Sequence, residues 1–165
     1  MLFNSYIFVL VFLPLCMIGY FGCSHFGKGT YGQVFLLGMS LWFYGYFHVE
    51  YLFIIVFSIL CNYGFYVLLG RSSGSGRRKR LLAGALVLDV GILFYYKYFN
   101  FFLENVNGIF GRNFALTSIL LPLGISFFTF QQLSFVIDAY KGEVPAYRFL
   151  DYACFVTYFP QLIAG

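Results

Sequence analysis

The chain has 165 residues, of which 61% are hydrophobic, 24% are aromatic and only 10% are charged. A soluble domain usually carries about 25% charged residues, so the composition excludes a water-soluble protein and indicates a polytopic membrane protein. The net charge is +4 at pH 7, and half of the basic residues lie in one short segment, 71–80. They form no stripe interleaved with stacking aromatics, so we do not expect a nucleic-acid partner.

The amino-terminal apolar run, 3–22, is predicted to be a retained membrane span, because it lacks the basic residues that precede a secretory signal core. The cysteines lie in or beside apolar runs and form no CxxC pair. We therefore expect small buried hydrophobic side chains and no disulfide framework or metal site. They are Cys16, Cys23, Cys61 and Cys154.

Apolar runs recur along the whole chain, and a membrane span needs about 20 mostly apolar residues. We predict an all-α, polytopic transmembrane bundle of about 5–6 membrane segments, with 1–165 forming a single domain because no composition break divides it. The predicted spans are 3–22, 33–47, 51–69, 81–99 and 119–140, with 149–165 as a tilted span or a re-entrant segment. The connecting segments are predicted to be a short interfacial helix at 100–118 and loops at 71–80 and 141–148.

The distribution of basic residues predicts the orientation, because cytoplasmic loops carry an excess of Lys and Arg. With an extracytoplasmic amino terminus, the segments 23–32, 71–80 and 141–148 face the cytoplasm and hold eight of the ten basic residues. We interpret the basic segment 71–80 as a determinant of this topology, with an anionic-lipid site as the sharper alternative.

Asp89 lies in the middle of the fourth predicted span, where a charged side chain is costly and usually faces a protein interior or a cavity. Tyr96 shares its helical face but is too far along the helix for a bond within it. Asp89 therefore needs a partner elsewhere, either on a neighbouring helix or in a functional cavity.

The fifth predicted span carries a polar stripe. A helical wheel places four of its residues within an arc of about 80°: Gly124, Gln131, Ser134 and Asp138. Three other polar residues fall on other sides of the wheel: Ser126, Thr129 and Gln132. The stripe predicts an inner helix beside a cavity or a polar neighbour, and Pro122 predicts an irregular helix start.

No catalytic constellation is visible in the sequence. His25 and His48 lie at predicted membrane edges, and His48 beside Glu50 is a weak catalytic pair. The sequence has no serine nucleophile elbow, no metal-ligand spacing and no phosphate-binding glycine loop. We assign no catalytic residue and no metal site.

Four segments in collinear order resemble one family. The segment LPLGISFFTFQQLSFVIDAYKGEVPA (121–146) resembles the signature of the membrane-bound O-acyltransferase family, in its bacterial alginate O-acetylase-like branch. LVLDVGILFYYKYFNFF (86–102) resembles the fourth span of that branch. The segment 41–65, which contains the Asn62-Tyr63 pair, resembles the second and third spans of that branch. The run 149–165 is similar to the segment that follows the signature.

The resemblance implies about a dozen membrane helices around a tunnel in the plasma membrane of a bacterium. It implies an acyl donor on the cytoplasmic side, either acetyl-CoA or an acyl-carrier thioester. The acceptor is a hydroxyl of a cell-surface polysaccharide such as alginate, and an extracytoplasmic partner protein completes the transfer. The family's histidine, thought to be the general base, is expected beyond Gly165, so the chain resembles an amino-terminal third that is inactive in isolation. The candidate inner-face or tunnel-side residues are Asp89, Gln131, Ser134 and Asp138.

Three alternatives stay open at this point. One is a non-catalytic membrane scaffold or assembly subunit. Another is part of a transporter, since Asp89 and Asp138 would also suit an ion path. The third, within the same family, is the transfer of D-alanine to teichoic acid.

Overall fold

The computed structural model describes residues 6–26, 29–47, 49–110 and 124–158. Within these ranges every regular element is a helix, which confirms the predicted all-α class. The α-helices are α1 (Leu13–Phe26), α2 (Thr30–Phe47), α3 (Val49–Arg71), α4 (Ser75–Leu93), α5 (Phe99–Phe110), α6 (Ile125–Lys141) and α7 (Phe149–Thr157). Two short segments are π-helical. Phe8–Phe12 directly precedes α1, and Phe94–Tyr98 joins α4 to α5.

Two helices are long and apolar enough to cross a membrane, Val49–Arg71 and the continuous helix Ser75–Ile109. At about 1.5 Å per residue, the 23 residues of the first reach roughly 35 Å, which exceeds the hydrocarbon thickness of a bilayer. The apolar helix Leu10–His25 is shorter. The predicted break between the second and third spans is present, since α2 ends at Phe47 and α3 begins at Val49.

Two predicted connections are wrong. The segment 71–80 was expected to be a loop, but only 72–74 lie between α3 and α4, so the four consecutive basic residues 77–80 are helical. The fourth span was expected to end at Phe99, yet the helix continues through the π-segment to Phe110. No Gly or Pro occurs between Gly91 and Gly108, so nothing in the sequence stops the helix there. Residues 111–118 of the predicted interfacial helix lie outside the described residues.

Helix α6 has a left-handed residue at each end. Gly124 precedes it with φ 67°, which agrees with the predicted irregular start, although Pro122 lies outside the described residues. Gly142 follows it with φ 82°. The Gly142 amide donates to the Ala139 carbonyl at 3.2 Å and the Glu143 amide to that of Asp138 at 3.0 Å, the pattern of a Schellman C-cap. The loop predicted at 141–148 is present as 142–148, and α7 follows it.

Helix α3 is the centre of the packing, because it contacts α2, α4, α6 and α7. The main apolar core lies around it and includes Ile55, Phe128, Val136 and Tyr152. A second cluster packs the amino-terminal helix on α2 through Phe8, Phe12, Cys16 and Phe43. The four cysteines are free thiols, of which Cys16 is buried.

Side-chain contacts show which helix ends lie together. Arg78, near the start of α4, donates to the Tyr140 carbonyl at the end of α6 at 2.7 Å. The Tyr66 hydroxyl, near the end of α3, donates to the Pro145 carbonyl at 3.3 Å. At the opposite end the Lys97 ammonium donates to the Ser126 hydroxyl at 3.0 Å. The connections 72–74 and 142–148 therefore lie at one end of the bundle, as the predicted alternation of spans requires.

Candidate functional site

A cluster of polar side chains is buried where α3, α4 and α6 meet. Ser58 and Asn62 come from α3, Asp89 from α4 and Gln132 from α6, and each is at most 2% exposed. Ser58 and Asn62 are four residues apart, so they share one face of α3 and point together at the other two helices. We call these four residues the Asn62 cluster.

Asn62 is the hub of this cluster. Its side-chain amide donates to Asp89 Oδ1 at 2.7 Å, to Gln132 Oε1 at 2.6 Å and to the Ser58 carbonyl at 3.1 Å. The Ser58 hydroxyl donates to the same Gln132 oxygen at 2.5 Å. The Asn62 amide therefore links α3, α4 and α6 by hydrogen bonds. The buried polar groups are paired with one another, which offsets the cost of burying them in an apolar core.

Asp89 accordingly has the neighbouring-helix partner that its position required, the Asn62 amide. No described lysine or arginine forms an ion pair with it; the ion pair found among the described residues is Arg148 with Asp151. Three further atoms of the cluster have no hydrogen-bond partner among the described residues, namely Asn62 Oδ1, Asp89 Oδ2 and Gln132 Nε2. The cluster can thus accept two more hydrogen bonds and donate through one more group.

The second feature is an open cleft between α6, the loop 142–148 and α7. Its volume is about 760 Å³. Three predicted residues line it, Gln131, Ser134 and Asp138. Glu143 and Asp151 add two more carboxylates, and aromatic side chains supply most of the remaining wall: Phe127, Phe130, Phe135, Tyr147, Tyr152 and Phe155. We call this feature the α6–α7 cleft.

The carboxylate of Asp151 is fixed at one side of this cleft. Gln33 Nε2 of α2 donates to its Oδ1 at 2.9 Å, and Arg148 Nε donates to its Oδ2 at 3.1 Å. The buried rings of Tyr152 and Phe135, which belong to the apolar core, are 4.4 Å apart between centroids and also line the cleft. The cleft therefore combines flat apolar surface with acidic and amide groups, a lining that suits a ligand or a protein segment carrying hydroxyl or cationic groups.

Of the four residues singled out in the sequence, the structure brings three together and separates one. Gln131, Ser134 and Asp138 line the α6–α7 cleft, whereas Asp89 belongs to the Asn62 cluster. Ser134 is exposed within the described chain. Phe130 is 62% exposed although it also borders the cleft. The polar stripe thus lies on one wall of a cavity.

The face of α6 that packs inward is a different one, and sequence reasoning missed it. Its buried residues are Ile125, Phe128, Thr129, Gln132, Phe135 and Val136. Gln132 was placed only on another side of the wheel, yet the large apolar residues spaced three and four positions from it form a helical stripe that predicts burial. Ser58 and Asn62 were missed as site residues for a related reason, since a single amide in an apolar span gives no periodic signal.

Histidines contribute nothing to either feature among the described residues. His25 lies in the last turn of α1, and it belongs neither to the Asn62 cluster nor to the lining of the cleft. His48 lies outside the described residues. No group of three or more His, Cys, Asp or Glu side chains that could hold a metal ion occurs in the described part of the chain.

Comparison with known proteins identifies relatives over the whole chain. It is 35% identical, over 191 aligned residues, to the "Peptidoglycan O-acetyltransferase" of Helicobacter pylori, covering 100% of this chain and 36% of the relative. It is 37% identical, over 171 residues, to the proteins named "Probable alginate O-acetylase AlgI" of Pseudomonas aeruginosa and Azotobacter vinelandii, covering 100% of this chain and 32% and 34% of those relatives. The chain spans about a third of the length of each. No protein-family model and no solved structure matches it.

Proposed function

We propose that the chain belongs to the alginate O-acetylase-like branch of the membrane-bound O-acyltransferase family and forms part of an integral-membrane O-acetyltransferase. The enzyme moves an acetyl group from a cytoplasmic thioester donor, acetyl-CoA or an acyl carrier, to a hydroxyl of a cell-surface polysaccharide. The observation that carries this proposal is the similarity of the entire chain to O-acetyltransferases named for two different polysaccharides.

The acceptor is proposed as a class of molecule. The relatives are named for alginate and for peptidoglycan, which share hydroxyl-bearing sugar rings and an extracytoplasmic location. Acetyl transfer to such a hydroxyl needs a base within hydrogen-bond reach of it. The family resemblance puts the histidine base beyond Gly165, and on that basis we propose that this chain forms a wall and scaffold of the enzyme.

Within this proposal, 1–165 forms one transmembrane unit of about 5–6 membrane segments in the plasma membrane of a bacterium. The amino terminus is extracytoplasmic, so the end of the bundle that holds 72–74 and 142–148 is cytoplasmic, and an extracytoplasmic protein partner receives the acetyl group. Two helices long enough to span a membrane and the excess of basic residues at that end support this arrangement.

The α6–α7 cleft is proposed to adjoin the path of the reaction. Gln131 Oε1 is buried beside it and has no hydrogen-bond partner among the residues that the structure describes. Ser134 and Asp138 follow it along the same wall of the cleft. A buried acceptor atom without a donor is costly, so a group that enters the cleft and donates a hydrogen bond to Gln131 gains binding energy.

Ester-linked acetate on the surface polysaccharides of the source bacterium tests the proposed function. Deletion of the gene should lower the acetate that mild alkali releases from purified polysaccharide, without lowering the amount of polysaccharide. The full-length wild-type gene should restore it. Unchanged acetate in the deletion strain would contradict the proposal, and a specific loss of ester-linked D-alanine would replace acetyl by D-alanyl transfer.

A further inference from the structure

A set of exposed basic side chains surrounds the point where α3 ends and α4 begins. Arg71 lies in the last turn of α3, and Arg77, Lys79 and Arg80 lie in the first two turns of α4. All four are exposed. We call these four residues the basic collar. Because 77–80 are helical and not a flexible loop, the backbone positions from which these side chains extend are fixed around the start of α4.

Arg78, in the middle of this run, behaves differently. Its guanidinium donates to the Tyr140 carbonyl at 2.7 Å and to the Ala139 carbonyl at 3.4 Å, and it lies 5.5 Å from the centre of the Tyr140 ring. The Tyr140 carbonyl is in the last turn of α6, where carbonyl groups lack intrahelical partners, whereas the Ala139 carbonyl also accepts from the Gly142 amide. Arg78 therefore has a structural role within the bundle, and for this reason we do not count it as part of the basic collar.

The collar has no acidic partner within the described protein. None of its four side chains forms a hydrogen bond or an ion pair with a described residue, and the first turn of α4 contains no acidic residue. Cations at a helix amino terminus oppose the helix dipole, and four like charges repel one another. Water and dissolved ions screen these exposed charges, and an anionic surface beside them would offset the repulsion more strongly.

The position of the collar indicates where such a surface lies. It stands at the junction of the two helices that are long and apolar enough to span a membrane, so in a bilayer it is at the headgroup level. A cavity of about 470 Å³ opens beside it, lined by Arg71, Ser72 and Arg78 together with Tyr66. This cavity offers cationic and hydroxyl groups next to apolar helix surface.

We propose that the basic collar binds the phosphate headgroups of anionic phospholipids, with one headgroup seated in the cavity beside Arg71. The proposal rests on the membrane insertion in the proposed function but not on acetyl transfer. It also goes beyond a topology signal, because it concerns the folded protein after insertion. Each Lys or Arg at an anionic membrane surface contributes about a five-fold gain in binding, equivalent to about 1 kcal/mol.

Lipid binding by the purified full-length protein tests this proposal. In a neutral detergent, native mass spectrometry compares bound phosphatidylglycerol with bound phosphatidylcholine at equal added concentrations. We expect the wild type to prefer phosphatidylglycerol several-fold, and we expect added salt to weaken the preference. The double variant Arg77→Gln/Arg80→Gln should lose most of it. The matched variant Arg77→Lys/Arg80→Lys, which keeps both charges at the same exposed positions, should retain it.

Three outcomes would overturn the proposal. One is equal binding of the two lipids by the wild type, a measurement that needs no variant to fold. A second is an undiminished preference in Arg77→Gln/Arg80→Gln, which would place the lipid site elsewhere. The third is saturable binding of free coenzyme A that the same variant abolishes, without any lipid preference; the collar would then serve the phosphates of the acyl donor. Normal polysaccharide acetylation with any of these results would leave the proposed function intact.

Discussion

Gln131 and Gln132 are adjacent in the sequence and chemically identical, yet they lie on two faces of α6 with opposite surroundings. Gln132 is 0% exposed and accepts hydrogen bonds from Ser58 and Asn62 inside the bundle. Gln131 lines the open α6–α7 cleft, and its Oε1 has no partner. The difference shows that the presence of an amide in an apolar helix does not by itself predict its role. The role depends on whether the other residues on the same helical face are apolar enough to be buried.

The two faces also place different demands on the protein. The Gln132 face is part of a hydrogen-bonded cluster, in which loss of one member leaves others unpaired in the core. The Gln131 face borders a cavity, where a substitution changes what can enter but removes no bond within the described chain. Substitutions on the first face should therefore affect stability, and substitutions on the second should affect activity.

The largest effect on stability is expected at the hub of the buried face. Asn62→Leu leaves the buried Asp89 Oδ1 without its Asn62 donor, at a cost of about 1–3 kcal/mol, whereas Gln132 Oε1 keeps its hydrogen bond from the Ser58 hydroxyl. Thermal unfolding of the full-length protein in neutral detergent should show a clear decrease in Tm. Leu60→Ala, on the exposed side of the same helix, should change Tm little; equal Tm values for both variants would contradict a stabilising role for Asn62.

A smaller effect is expected where Arg78 joins α4 to the end of α6 and so helps to fix which face of α6 turns inward. Arg78→Gln removes charge-assisted hydrogen bonds to two carbonyl groups and should cost about 1–2 kcal/mol. Arg77→Gln, at the exposed neighbouring position, should change the stability by less than about 0.5 kcal/mol in neutral detergent. Chemical or thermal unfolding of the Arg78→Gln and Arg77→Gln variants checks this prediction. Equal losses of stability in the two variants would show that the loss of a positive charge, and not of the hydrogen bonds, is responsible.

The C-cap of α6 supplies a third, smaller test. Gly142 has φ 82°, and a Cβ added there would meet no atom within 4 Å, so Gly142→Ala introduces backbone strain without a clash and should cost about 1 kcal/mol. Gly64, within α3, also has open space around it but is helical, so Gly64→Ala should be neutral or stabilising by up to about 1 kcal/mol. We expect Gly142→Ala to lower Tm and Gly64→Ala to leave it unchanged or raise it. A higher Tm for Gly142→Ala would contradict the left-handed C-cap at this position.

Ser73→Cys tests the orientation of the bundle in the membrane and should not change its stability. Ser73 is exposed between α3 and α4, at the same end of the bundle as the loop 142–148. With a cytoplasmic location, a cysteine introduced as Ser73→Cys in a background without other cysteines should react with an impermeant thiol reagent only after cell lysis. Rapid labelling in intact cells would reverse the predicted orientation.

The sequence predicted the helical class and the break between α2 and α3, because hydropathy is a local property of the chain. Helical periodicity placed Gln131, Ser134 and Asp138 on one face of α6, and that face lines the cleft, but their functional role stays a prediction. The sequence misplaced the start of α4, since a run such as RSSGSGRRKR looks like a linker until α6 supplies carbonyl groups for Arg78. It also missed Asn62 as the partner of Asp89. A helical wheel gives the angle between residues on one helix, but the choice of inward face depends on neighbours that are distant in the sequence.

The pair Gln131→Leu and Gln132→Leu tests the central claim most directly. In the full-length protein, each variant should be compared with the wild type for Tm and for ester-linked acetate on surface polysaccharide per amount of folded protein. The control is Ile137→Leu, a residue of α6 that belongs to neither the cleft lining nor the Asn62 cluster and should alter neither quantity strongly. We expect Gln132→Leu to lower Tm, and Gln131→Leu to insert and fold normally but to lower acetylation per folded protein. The reverse pattern, with Gln131→Leu unfolding the protein and Gln132→Leu leaving it stable, would contradict the assignment of the two faces of α6.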